Sequence, residues 1–302
     1  VRARPYPRGV KVIQSIRTFT NTKLSIDILV PYAFLHVVCF AVLITGITWR
    51  GVAICLGSFF VRAFGLGVGY HRYFAHKSFK TSRVIQFFLA VLGGLAIQRG
   101  VLWWAETHRY HHRYADTAAD IHSPSHKGFL YAHSGWFLDQ VNRGTKLSRV
   151  ADLAKYPELV WLNDWKWYFL PLATYAGLLY LFFGVEGLIW GLAISTVLLW
   201  HVTHWIQSMS HSHGGYRRCP SVDNSRNHWL LGLVTLGEFH NNHHYSPSSC
   251  RQGFLWWEID IGYYILKALS CLGLVWDLRL PPKQISQNNV QPQLPTTSQM
   301  YH

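Results

Sequence analysis

From Leu29 to Trp49 the chain carries no charged residue, and about 20 apolar positions in a row are what a helix needs to cross the hydrocarbon core of a bilayer. After Arg50 a second apolar run extends from Gly51 to Gly69, with Arg62 near its middle. An arginine at that depth must snorkel to the interface or find a partner. The run from Val84 to Ile97 is too short to cross and passes through Gln98 and Arg99 into polar sequence, which predicts an interfacial or protein-covered helix. Two further runs, Tyr168 to Phe183 and Gly187 to Ile206, are joined by a tight GVEG turn and predict a helical hairpin in the membrane.

The pattern predicts an all-α integral membrane protein with about four transmembrane helices. Four crossings put the N-terminus, residues 70–164 and everything after 207 on one side, where they form a helical cap. Most Lys and Arg residues fall in those segments, which marks that side as cytoplasmic. Residues 1–28 are basic and interrupted by prolines, without the apolar core and cleavage site of a secretory signal, and are expected to stay in the cytoplasm. Residues 29–280 form one membrane domain, and 281–302, rich in Gln, Asn, Ser and Pro, are expected to be a disordered tail.

Composition agrees with this pattern. Of 302 residues, 50% are hydrophobic and only 14% charged, with 14 Trp, 16 Tyr and 17 Phe; Trp and Tyr gather at lipid–water boundaries. Lys and Arg outnumber Asp and Glu by 28 to 14, but no basic helix with a nucleic-acid motif accompanies the excess, so nucleic acid is not an expected partner. The five cysteines are odd in number and contain no CxxC pair, so neither a disulfide framework nor a zinc knuckle is readable.

The chemistry lies in the histidines. HRYHH places His108, His111 and His112, and HNNHH places His240, His243 and His244, at i, i+3 and i+4, so each trio shares one helix face. HRYFAH sets His71 and His76 five apart; these diverge on an ideal α-helix, so the helix end must unwind or a turn must absorb the spacing. His211 follows the last apolar run. Packing nine titratable rings together is unfavourable unless a cation organises them, and nine imidazoles exceed the four ligands of a zinc site, so two metals are expected. Imidazole-rich sites with open positions suit iron and oxygen chemistry, although Zn, Cu and Ni are compatible by softness. The isolated His36, His122, His126, His133, His213, His228 and His302 read as surface or hydrogen-bonded core residues. His201 and His204, near the cytoplasmic end of a span, are assigned to neither class.

HRYFAH, HRYHH and HNNHH, in that order between apolar hairpins, resemble the three histidine boxes of the membrane fatty-acyl desaturases, most closely the Δ9 (stearoyl-CoA desaturase-like) branch. The similarity runs from about Gly67 to Pro282 through GYHRYFAHKSF, GVLWWAETHRYHHRYAD, GWFL, DNSRNHWLLGLVTLGE and RQGFLWWEID. The resemblance implies a di-iron oxygenase with two iron ions as cofactor and no catalytic side chain beyond the ligands. It assigns one iron to His71, His76, His108, His112 and His243, and the other to His111, His211, His240 and His244. Where the family has an Asn that reaches the second iron through a water, this chain has Gln207. Glu238 is carried over to a place beside the ligands, although in LGEFHNNHH the family commonly has one more residue between the Glu and the first His, a spacing that counts against that place. Asp116 and Asp120 are candidates to accept the outer N–H of ligand histidines.

The resemblance also implies a kinked acyl tunnel, with Gln98, Trp104 and Thr203 at its bend. The family's acyl-CoA enzymes carry an Arg-Lys pair after GWLL, whereas here GWFL is followed by Asp139, Gln140 and Val141. Loss of that cationic pair weakens the case for CoA phosphates, so the acyl carrier is a membrane glycerolipid, CoA or an acyl carrier protein, with Arg143 and Lys146 still nearby. No flavin or nicotinamide fingerprint is present, so an external electron donor such as ferredoxin or cytochrome b5 is implied. The expected reaction is insertion of a cis double bond, at Δ9 by family analogy. An acyl hydroxylase or acetylenase would carry the same boxes. A metal transporter would need ionisable residues within its spans, and only Arg62 is clearly mid-span.

Overall fold

A computed structural model of the chain describes residues 22–282. The expected basic N-terminal segment and the expected tail lie for the most part outside the described residues. Helix α1 (Ile26–Cys39) is followed by one more short helix, Val42–Thr45. None of its residues is buried against the rest of the chain, and Phe34, Val37 and Ile44 face outwards. Apolar surface of that extent is stable against lipid rather than water. Helix α2 (Trp49–Phe64) starts at Thr48, whose hydroxyl accepts the Gly51 N–H, and continues into a π-helix, Gly65–Ala75.

Strand β1 (Lys80–Thr81) follows and pairs antiparallel with β2 (Val275–Trp276), Lys80 opposite Trp276. This ribbon is a departure from the all-α expectation, and it ties the chain beyond the π-helix to the C-terminal part, reinforced by a bond from the Arg279 N–H to the Ser78 carbonyl. Helix α3 (Arg83–Gly94) buries Gln86, Leu89, Ala90 and Gly93 and exposes Val84 and Phe88, as the short amphipathic run required. It lies so close to the π-helix that a Cβ on Gly65 would come within 2.6 Å of the Leu92 carbonyl carbon. Helix α4 (Val101–Tyr114) then carries HRYHH.

Three helices are long and apolar enough to cross a membrane: Ile26–Thr45, Trp49–Ala75 and Lys166–Ser208. The third is two arms. Helix α5 (Trp165–Glu186) breaks at Gly184, where φ is +64° and ψ −150°, a conformation open to glycine alone. The chain folds back so that Gly191 packs on Leu179, and it runs through a π-helix, Gly187–Ile194, into α6 (Ser195–Ser208). The predicted hairpin is thus present, turning at the first residue of GVEG. Helices α7 (His240–Tyr245) and α8 (Ile261–Cys271) follow. Phe59, Leu66, Tyr70, Phe74, Leu102 and Leu159 form the main core around the first π-helix.

Arg62 does not snorkel. It is fully buried and donates to Thr196 Oγ1 at 2.5 Å, to the Ser195 hydroxyl, to the Ser58 carbonyl at 3.2 Å and to the Leu95 carbonyl at 3.3 Å. Its charge is therefore met by neutral acceptors on α2, α6 and the end of α3, which it pins together. Arg62→Ala leaves those acceptors unpaired and opens a cavity, and is expected to lower stability by about 3 kcal/mol. Thermal unfolding in detergent checks this, with Val61→Ala on the exposed face as the neutral control.

Candidate metal centre

The five-residue spacing in HRYFAH is resolved by widening the helix rather than unwinding it. A π-helix bonds i to i+5, the His76 N–H reaches the His71 carbonyl at 3.2 Å, and the two rings lie 5.0 Å apart on one side. Helix α4 presents His108, His111 and His112, α7 presents His240, His243 and His244, and His211 sits in the turn three residues past α6.

These nine histidines fall into two sets. One ring nitrogen from each of His71, His76, His108, His112 and His243 lies within 4.8 Å of all the others, and the same holds for His111, His211, His240 and His244. Within the first set Nε2 atoms approach to 2.9 Å between His71 and His243, 2.8 Å between His76 and His108, 3.0 Å between His108 and His112, and 2.8 Å between His112 and His243. In the second, His211 and His240 Nε2 are 2.8 Å apart.

The outer nitrogens explain the orientation. Glu238 spans both sets, with Oε2 3.0 Å from His71 Nδ1 and Oε1 3.1 Å from His240 Nδ1. Asp116 accepts from His211 Nδ1 at 2.7 Å, Asp120 from His111 Nδ1 at 3.1 Å and Asp223 from His244 Nδ1 at 2.8 Å. The Gln252 amide lies 3.1 Å from His243 Nδ1. A neutral imidazole has one proton; in the five rings bonded to carboxylates that proton is on Nδ1 and the Nε2 lone pair points inwards, whereas His243 Nδ1 accepts from the Gln252 amide, whose oxygen is taken by Arg72. His111 Nε2 and His244 Nε2 are buried without a protein partner. Converging bare nitrogens backed by carboxylates are the donor set of a metal site, so the residues present fit two metal ions.

Electrostatics point the same way. Burial, reinforced by neighbouring imidazoles, holds His108, His112 and His243 well below the ordinary imidazole range, which keeps them in the neutral form that binds metal. Burial works against the charge of Glu238, but His71 and His240 outweigh it and hold the carboxyl well below its usual range.

Despite the shortened spacing Glu238 lies against the histidines, in a loop that turns at Gly237, where φ is +117°. Gln98, Trp104 and Thr203 are brought together, the Gln98 amide donating to Thr203 Oγ1 at 2.7 Å and the Trp104 indole to Gln98 Oε1 at 3.5 Å. With Ala63, Leu66 and Leu199 they line a cavity whose wall includes His71, His108, His111 and His240. Gln207 lines it too, its Oε1 accepting from the Trp136 indole at 2.9 Å. His122, read from sequence as an isolated residue, is buried, stacks on His111 at 4.2 Å and also faces the cavity. Asp223 escaped the sequence reading, although it opens the DNSRNHW motif; a carboxylate in that stretch was the available signal.

A family model for fatty acid desaturase matches residues 28–270. The chain belongs to the fatty acid desaturase family. This desaturase is 37% identical over 268 residues to Delta-9 acyl-lipid desaturase 1 of Arabidopsis thaliana, covering 85% of this chain and 84% of that protein. It is 36% identical over 252 residues to an acyl-CoA C20 Delta5-desaturase of Anemone leveillei, covering 82% and 79%. To the sn-1 stearoyl-lipid 9-desaturase of Synechocystis sp. it is 34% identical over 250 residues, covering 80% and 76%. It is accordingly an oxidoreductase acting on fatty-acyl chains.

His244 is held at about 4 by burial, only partly offset by Asp223, against an ordinary 6.5. Between those values an unfolded chain binds protons that the folded, metal-stripped desaturase excludes, so stability falls as pH falls. Melting temperatures of chelator-treated protein from about pH 7.5 to 4.5 are expected to decline steadily, and a flat profile would contradict the burial of neutral imidazoles.

Proposed function

We propose that this desaturase inserts a cis double bond at the Δ9 position of a fatty-acyl chain, using O2 and an external electron donor at a pair of irons. The observation that carries the reading is the two converged imidazole sets beside one apolar cavity. His71, His76, His108, His112 and His243 hold one iron, and His111, His211, His240 and His244 the other. The bound iron pair supplies oxygen activation and an oxidant able to take hydrogen from an unactivated methylene.

The chain's own groups position and insulate. Glu238, bonded to one ring of each set, fixes the two sets relative to one another. Asp116, Asp120 and Asp223 keep their imidazoles in the Nδ1–H tautomer. Trp104 stacks on His108 with centroids 4.8 Å apart, and the Gln98–Thr203 bond fixes the wall opposite, so an acyl chain meets the metal side in one register. Gln207, with its oxygen committed to Trp136, has its amide nitrogen left to hold a water.

Residues 29–280 act as one domain that crosses the membrane four times, with the histidines on the cytoplasmic side. The reversal at Gly184 and the basic segments outside the spans support this topology. A glycerolipid is the favoured acyl carrier: GWFL lacks a following cationic pair, and Arg143 is paired with Asp27 at 2.6 Å. An acidic donor of the ferredoxin or cytochrome b5 class suits a basic cytoplasmic face.

Expression in a microbial host with a compatible donor, followed by gas chromatography–mass spectrometry of derivatised fatty acids, is expected to give a Δ9 alkene, enriched first in membrane lipids. A hydroxy or alkynyl product would overturn the reading. His111→Ala and His244→Ala are each expected to abolish product while the protein remains membrane-inserted.

Asp223→Asn keeps the shape but not the charge behind His244. It is expected to weaken iron binding roughly ten- to a hundredfold, measured as iron per chain after dialysis against graded chelator.

A further inference from the structure

Four histidines outside the two sets meet where α1, a π-turn at Tyr131–Gly135 and α6 come together. One ring nitrogen of each of His133, His201 and His204 lies within 4.8 Å of the other two, and His133 Nε2 is 3.0 Å from His201 Nδ1. The same close approach, 2.8 to 3.0 Å, recurs inside the two larger sets. His201 and His204 are one helical turn apart on α6, within a helix apolar enough to span a membrane.

The protons decide what this group can hold. The Ser208 hydroxyl donates to the His204 carbonyl at 2.9 Å, so it accepts from His133 Nδ1 at 3.1 Å, and the one proton of neutral His133 is on Nδ1. His36 Nδ1 donates to the Tyr32 carbonyl at 2.7 Å, so His36 Nε2 accepts from His201 Nε2, 3.0 Å away. Each neutral ring has then used its single proton, and His133 Nε2 and His201 Nδ1 face each other as bare lone pairs. Lone pairs at that distance repel unless a cation lies between them. His204, with Nδ1 3.4 Å from the Ser134 hydroxyl, completes the same arrangement of an outer hydrogen-bond partner and an inward nitrogen that metal-binding imidazoles show.

We propose that His133, His201 and His204 form a third site, separate from the two larger sets, for a single divalent transition metal such as zinc. Three imidazoles leave a fourth position for water. His36 is a positioning residue, holding the His201 tautomer from α1, so the metal clamps the first span to the last. The rival arrangement is a relay of neutral rings in which Ser208 turns its proton towards His133, and it binds no metal.

The test is zinc uptake by the iron-loaded protein in detergent, read by competition with a chromophoric zinc indicator alongside iron content. Wild type is expected to take up one equivalent of Zn2+ with its iron unchanged. His201→Leu, and independently His133→Phe on the cap, are expected to lose that equivalent and keep their iron. His36→Leu is expected to bind zinc roughly ten- to a hundredfold more weakly. No uptake by wild type, or equal uptake by the wild type and both ligand variants, overturns the proposal; if His201→Leu fails to insert, His133→Phe decides.

Discussion

The bonds from outer imidazole nitrogens to carboxylates organise this molecule. Nine neutral rings brought together have no reason to converge unless each proton is drawn outwards, and Glu238, Asp116, Asp120 and Asp223 do this for five of them. Those carboxylates are themselves held: the Asp120 carboxylate accepts backbone N–H groups of Asp116 and His122, and Asp223 accepts from Ser221 and Ser225. The segments between the long apolar helices and after them are thus a scaffold for carboxylates as much as for histidines. Their loops are folded by the same charges that aim the rings.

Around that centre the membrane helices supply rigidity and exclusion of water. The π-helix brings His71 and His76 to one face and at the same time packs Tyr70 and Phe74 into the core. Arg62, one turn earlier, ties the helix that leads into it to α6, so the ligands near both helix ends inherit a common frame. The cavity is lined by this frame and the rings, and its polar wall includes the side-chain bond between Gln98 and Thr203, on segments far apart in sequence.

Much of this was legible in the sequence because it is periodic or local. Apolar run lengths predict the long apolar helices and the reversal within the last of them, and i, i+3, i+4 spacing predicts the faces of α4 and α7. What was not legible depends on distance or on backbone geometry. Nothing in HRYFAH distinguishes a π-helix from a turn, since both accommodate a five-residue step. The shortened spacing before HNNHH counts against a place for Glu238 beside the ligands, but spacing carries no information about the positive φ at Gly237, where the loop turns. His36 and His133 are each alone in their local sequence and meet His201 only when α1, α6 and the turn at Tyr131–Gly135 come together.

The interleaving of the two histidine sets gives the molecule a history as well as a geometry. Four of the five residues in the first set lie between His71 and His112, whereas three of the four in the second lie at or beyond His211. During synthesis from the N-terminus, the first set is nearly complete before the second hairpin exists, while the second waits for the last box to be made. Neither set is complete until that last box, which supplies His243 to the first and His240 and His244 to the second, has been made, so the centre closes only after the hairpin has been synthesised.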